Sequence, residues 1–230
     1  MILIIGLVAI GVAYYYYYSS SLSDPVEVSR RYANCSAEQK KVIRYFAIRN
    51  CLTKKISDQE YDAIVMSYIK KQDFKRQAMS KIGLEESEIQ EIEPVHFESW
   101  AFGEADNVSF AKKGIDEVWR STAYQVSWLF FSSSKMYLYQ NTVHFDKDNK
   151  KVAMEEYYYK DITSFAASTD IIESPTYWNI QQKKWLLETI NCNRFVLTVQ
   201  SNKFYCSMEQ NEYAERSIQA MKTKLREKKG

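Results

Sequence analysis

Residues 123–159 read AYQVSWLFFSSSKMYLYQNTVHFDKDNKKVAMEEYYY. Tyr124, Val126, Trp128 and Phe130 alternate along the first part, and Tyr137, Tyr139, Val143 and Phe145 mark the second. Period-two alternation of aromatic and β-branched residues predicts strands with one buried face. Asp146-Lys147-Asp148-Asn149 has turn chemistry, because short polar side chains bond to nearby backbone. Met136–Tyr159 therefore reads as an antiparallel hairpin.

Moving toward the C-terminus, Ile162 to Ile172 supplies a further strand, and Phe195, Leu197 and Val199 alternate again. Ser201-Asn202 then turns the chain into Phe204, Cys206 and Met208. Between these strands, residues 174–191 carry Pro175, Tyr177, Trp178, Trp185 and Leu186, read as a partly helical insertion. Ala214, Ile218, Met221 and Leu225 form the apolar stripe of a closing helix over 209–228, whose end is basic. About six strands and one amphipathic helix predict a bent sheet or closed barrel, since either arrangement protects strand edges.

Toward the N-terminus the period is helical. Ser36 with Gln39, and Ser57 with Glu60, have the spacing of capping boxes. Val42, Tyr45 and Phe46 follow the first, and Tyr61, Ile64, Val65, Tyr68 and Ile69 follow the second. The second helix is expected to reach about Ser80, with Lys70, Lys71, Lys75 and Arg76 near its end and Gly83 interrupting it. No heptad persists, so these helices read as a small packed bundle.

The extreme N-terminus is different in kind. Met1 to Tyr18 reads MILIIGLVAIGVAYYYYY and carries no charge. As a helix it would span about 27 Å, at ~1.5 Å per residue, close to a bilayer core. Tyr14, Tyr15, Tyr16, Tyr17 and Tyr18 suit a headgroup boundary. One membrane pass is the favoured expectation; a cleaved signal and a buried core helix are its rivals. Arg30, Arg31, Lys40 and Lys41 follow the segment, which favours a cytoplasmic body. The expected organisation is an anchor (1–18), a Ser-rich linker (19–33), a helical region (34–120) and a β module (121–230).

The 230 residues are 46% hydrophobic and 26% charged, a composition that excludes disorder for the body. Lys plus Arg number 31 against 29 Asp plus Glu, so the net charge of +2 gives no electrostatic case for a nucleic-acid partner. Four Cys form no CxxC pair, and the two His, at 96 and 144, share no motif, so no metal or cofactor is expected. No GxSxG or phosphate loop is present, so no catalytic residue is assigned and no enzyme activity is expected.

The strand order, the final helix, Glu156-Tyr157-Tyr158-Tyr159-Lys160-Asp161-Ile162, Phe195-Val196-Leu197-Thr198-Val199 and Lys203-Phe204-Tyr205 together resemble bacterial pleckstrin-homology-like modules. That resemblance implies an α+β fold with a β-barrel and a binding or scaffolding surface at a membrane. Ser132-Ser133-Ser134-Lys135 supplies one cation, so phosphoinositide recognition is not implied. The expected function is thus a single-pass anchored interaction module with a protein partner. One alternative is anionic-lipid binding through Lys70, Lys71, Lys75, Arg76, Lys222, Lys224 and Arg226. The other is an extracytoplasmic sensor.

Overall fold

The computed structural model describes residues 35–47, 56–85, 87, 89, 92–103, 109–179 and 184–229. These form an α+β fold with the described order α1 (Ala37–Ala47), α2 (Asp58–Lys71), α3 (Phe74–Ile82), β1 (Val95–Ala101), β2 (Ala111–Lys113), β3 (Trp119–Ser121), β4 (Ala123–Phe131), β5 (Lys135–His144), β6 (Asn149–Tyr158), β7 (Ile162–Asn179), β8 (Lys184–Val199), β9 (Asn202–Ser207) and α4 (Glu212–Lys229). An antiparallel sheet runs β1-β4-β5-β6, a second pairs β2 with β3, and a third runs β7-β8-β9.

Capping starts the helices where the sequence indicates. Ser36 Oγ accepts from Gln39 N at 3.2 Å while Gln39 Oε1 accepts from Ser36 N at 2.8 Å, a reciprocal box. Ser57 Oγ likewise accepts from Glu60 N at 3.1 Å. The second helix ends earlier than expected, at Lys71, because the Asp73 side chain accepts from Arg76 N and starts α3. Gly83, at φ 77°, closes α3 in the left-handed conformation a C-cap favours.

β4 lies at the centre and is covered on both sides. Tyr124 and Val126 join Val42, Tyr45, Tyr61, Val65, Val143 and Phe145 in a core shared with α1 and α2. On the opposite face Leu129 and Phe131 pack with Phe165, Phe195 and Leu197 of the third sheet and with Ile218 and Met221 of α4. The order is therefore helices, four-stranded sheet, then three-stranded sheet with α4.

Three expectations are corrected. The sheets are open, with β6 and β7 at edges, so no barrel closes. β1, β2 and β3 occupy part of the region expected to be wholly helical. Val95, Phe97 and Ala101 are buried in alternation, a short period-two signal just after Pro94. Residues 174–179 and 184–191 continue β7 and β8 as one long hairpin instead of a helical insertion. Pro175 is tolerated because β7 is an edge strand, and the register shifts between Pro175 and Tyr177.

The membrane expectation also fails to find support. No described helix is long and apolar enough to cross a membrane; the 18-residue α4 is studded with Lys, Arg and Glu. Met1–Tyr18, with Tyr14–Tyr18, lies outside the described residues. The bilayer partner, the single-pass location and the anchored scaffolding role built on them are withdrawn.

Candidate functional site

Helices α1 and α2 are fixed against the β2–β3 hairpin by a charge network centred on the buried Arg120. Arg120 of β3, 4% exposed, donates Nε and Nη2 to the two Asp62 carboxylate oxygens, each at 2.7 Å. Its Nη1 and Nη2 also reach Asp116 at 2.8 and 2.7 Å. The guanidinium holds the Asp116 carboxyl below its usual range, at about 2, and the two carboxylates push the guanidinium further up. Beside it, Asp58 accepts from Tyr45 Oη at 2.8 Å and from Ile115 N at 2.7 Å. The Tyr45 ring stacks on Tyr61 at 4.3 Å, and Tyr61 Oη donates to Ser121 O at 2.6 Å. Burial, followed by the hydrogen bond to Asp58, raises the Tyr45 phenol well above its ordinary value. These groups satisfy one another, which makes the cluster a scaffold.

That scaffold holds one wall of a cavity of about 510 Å³ between α1, α2 and the β5–β6 turn. Val42, Ile64, Tyr68, Val143 and Phe145 give it an apolar floor. Helical spacing places Ile64 and Tyr68 on one side of α2, and strand alternation places Val143 and Phe145 on the helix-facing side of β5. Tyr68 meets Phe145 edge to face at 5.4 Å.

The rim is polar. Gln39 Nε2 donates to Asp148 Oδ1 at 2.7 Å, joining α1 to the turn. Lys150 Nζ stands 5.3 Å from the Tyr68 ring centroid, and Lys147, Glu38 and Ser36 also line the rim. A volume in this range suits a small organic molecule, with apolar contacts for its body and amines for an acidic group.

His144 also borders the cavity, but alternation turns its ring from the side occupied by Val143 and Phe145. Its imidazole is 5% exposed and neither ring nitrogen has a hydrogen-bond partner. Burial, with Lys147 adding to it, lowers its pKa to about 4. A ring held neutral and turned away is a poor proton donor to a ligand. His96 stacks on Trp128 at 4.9 Å and contacts Tyr213 Oη at 3.2 Å, a packing position. Cys192 and Cys206 are buried and their thiols are pushed up to about 11, which suppresses thiolate chemistry.

The basic residues singled out in the sequence lie on two layers. Lys70 and Lys71 end α2, and Lys75 and Arg76 begin α3, all four exposed. Lys222, Lys224 and Arg226 belong to α4, which packs on the far side of the four-stranded sheet. The fold therefore does not merge them into one patch. Lys224 is bonded to Glu227 at 3.3 Å.

The cavity residues Lys147 and Lys150 had no distinguishing signal in the sequence beyond their place around a turn. Arg120 and Asp62 stand 58 residues apart and had none. Among the described residues no cluster of His, Cys, Asp and Glu could hold a metal ion. The pleckstrin-homology-like resemblance is overturned: the sheets are open, and comparison with protein-family models, curated proteins and solved structures finds no match to this chain.

Proposed function

We propose that this chain is a non-catalytic binding protein for a small, largely apolar molecule carrying an acidic group. One observation carries the reading: a cavity of about 510 Å³ whose floor is apolar and whose rim bears the amines of Lys147 and Lys150 beside the carboxylates of Glu38 and Asp148. Gln39 donates to Asp148 Oδ1 and ties that carboxylate to the wall with its charge unchanged. An organic anion would place its hydrocarbon against Ile64, Tyr68 and Phe145, and its charge toward the two amines.

Anilinonaphthalene sulfonate combines those features and serves as the probe. Its fluorescence should rise saturably, with one site per chain, while unfolding stays cooperative. Ile64→Trp fills the floor and should abolish the signal. Lys147→Glu should weaken binding by roughly 3- to 30-fold, about 0.7–2 kcal/mol of charge interaction near a protein surface. Binding unaffected by either substitution, or a signal that never saturates, refutes the reading.

A further inference from the structure

β6 is an edge strand: β5 pairs with one side, and no described strand pairs with the other. Val152, Met154 and Tyr158 on one face are 37%, 46% and 48% exposed. An unpaired edge of ten residues with exposed apolar side chains is a template for strand addition.

The order of charges along β6 identifies the partner. Lys150 and Lys151 stand three and two residues before Ala153; Glu155 and Glu156 stand two and three residues after it. An antiparallel copy of the same strand, centred with Ala153 opposite Ala153, puts Lys150 opposite Glu156 and Lys151 opposite Glu155. Val152 falls opposite Met154 in the same register. Every opposed pair also shares a face, because residues directly opposite in an antiparallel ladder point the same way. A strand charged merely to repel other edges would carry one sign; this one is self-complementary in sign. Shifting the register by one residue sets Lys150 and Lys151 against Tyr157 and Glu156, or against Glu155 and Met154, and opposes Val152 to Glu155 or Ala153. Glu156, 59% exposed on its side chain, is 3.3 Å from Lys135, so an incoming lysine would join an existing ion pair.

We propose that two copies of this chain associate through β6, antiparallel and two-fold symmetric about Ala153, into one continuous sheet with β1-β4-β5-β6 on each side. The contact is isologous, each strand supplying what the other needs. Backbone hydrogen bonds and the Val152–Met154 cluster provide attraction, and the four lysine–glutamate pairs fix the register.

The test uses differently tagged full-length chains. Wild-type copies should co-purify. Lys150→Glu/Lys151→Glu leaves only acids at the charged positions, and Glu155→Lys/Glu156→Lys leaves only bases. Each variant alone should self-associate at least about tenfold more weakly, given several opposed pairs at the sheet joint. Mixed together, the two variants regain every opposite-sign pair and should co-purify as a heterodimer. Ala153→Cys should crosslink to its counterpart under mild oxidation, with Cα atoms about 4.5–5.5 Å apart. Glu155→Cys should not, since its two copies lie about 13 Å apart along the strands. Cooperative unfolding of each variant confirms that the fold is retained. Wild-type chains that stay monomeric at hundreds of micromolar overturn the proposal. Charge variants that self-associate as well as wild type, or Glu155→Cys crosslinking as readily as Ala153→Cys, do so equally.

Discussion

Replacing Arg120 with Met tests whether the charge network centred on that residue fixes helices α1 and α2. Met keeps the hydrocarbon bulk and removes the guanidinium, leaving Asp62 and Asp116 facing each other without their shared cation. Arg120 makes two bonds to Asp62, two to Asp116 and one of 3.3 Å to Val118 O. Truncating one member of a buried ion pair generally costs ~3–5 kcal/mol. The Asp62 and Asp116 side chains are 36% and 43% exposed, so they rehydrate when released. The expected loss for Arg120→Met is therefore about 1–3 kcal/mol, below that range and above that of an exposed ion pair. Equilibrium urea unfolding at neutral pH, followed through tryptophan fluorescence, measures it.

Arg120→Lys should recover less than half, because one ammonium cannot serve two carboxylate forks. A second readout is acid sensitivity. The Asp116 carboxyl, ordinarily at 3.8, sits at about 2 in the fold. A depressed folded value gives stability that is present above about pH 4 and lost as pH falls toward 2. Arg120→Met should remove most of that acid-dependent increment. A loss below about 1 kcal/mol, the scale of an exposed ion pair, or full recovery by Lys, would refute the clamp.

Two further substitutions probe the same packing. A Cβ at Gly114 would collide with Arg120 and Asp116 and stand 2.7 Å from Asp58 Oδ2, so Gly114→Ala should cost about 1–3 kcal/mol in the same unfolding assay. A wild-type midpoint for Gly114→Ala would show that the hairpin is not seated so closely on α2. His144 has a folded pKa of about 4 against an ordinary 6.5, so the unfolded chain takes the proton first. Stability should fall as pH drops from about 6.5 to 4, by about 1–3 kcal/mol once solvent screening around Lys147 is allowed for. His144→Leu should flatten that slope, and an unchanged slope would assign the titration elsewhere.

The candidate site was legible only in part. Ile64 and Tyr68 announced an amphipathic helix, but a buried stripe and a cavity wall have the same spacing. What makes them a wall is the β5–β6 turn opposite, including Phe145 and Lys147, brought there by long-range pairing. Arg120 lies in a three-residue strand, too short for a periodic signal, and its carboxylate partners come from α2 and from the turn before it.

The sequence by itself determined the elements whose causes are local. Ser36 with Gln39 and Ser57 with Glu60 start helices because each box bonds within four residues. The polar run Asp146–Asn149 marks the place where β5 turns into β6, although Asp148 bonds to distant Gln39 and not within the turn, and alternation from Tyr124 to Phe130 sets strand period and facing. Only the tertiary structure decided how those strands end. A strand's alternation says which face is buried; it does not say whether the last strand meets the first. Open sheets leave β6 at an edge, and the same sequence in a closed barrel would have none. Residues 174–191 show the same limit: their aromatics fit a helix or a strand, and pairing between β7 and β8 settled it. Local chemistry fixes the period of a segment, whereas its partner is chosen by competition among distant segments for burial and backbone hydrogen bonds.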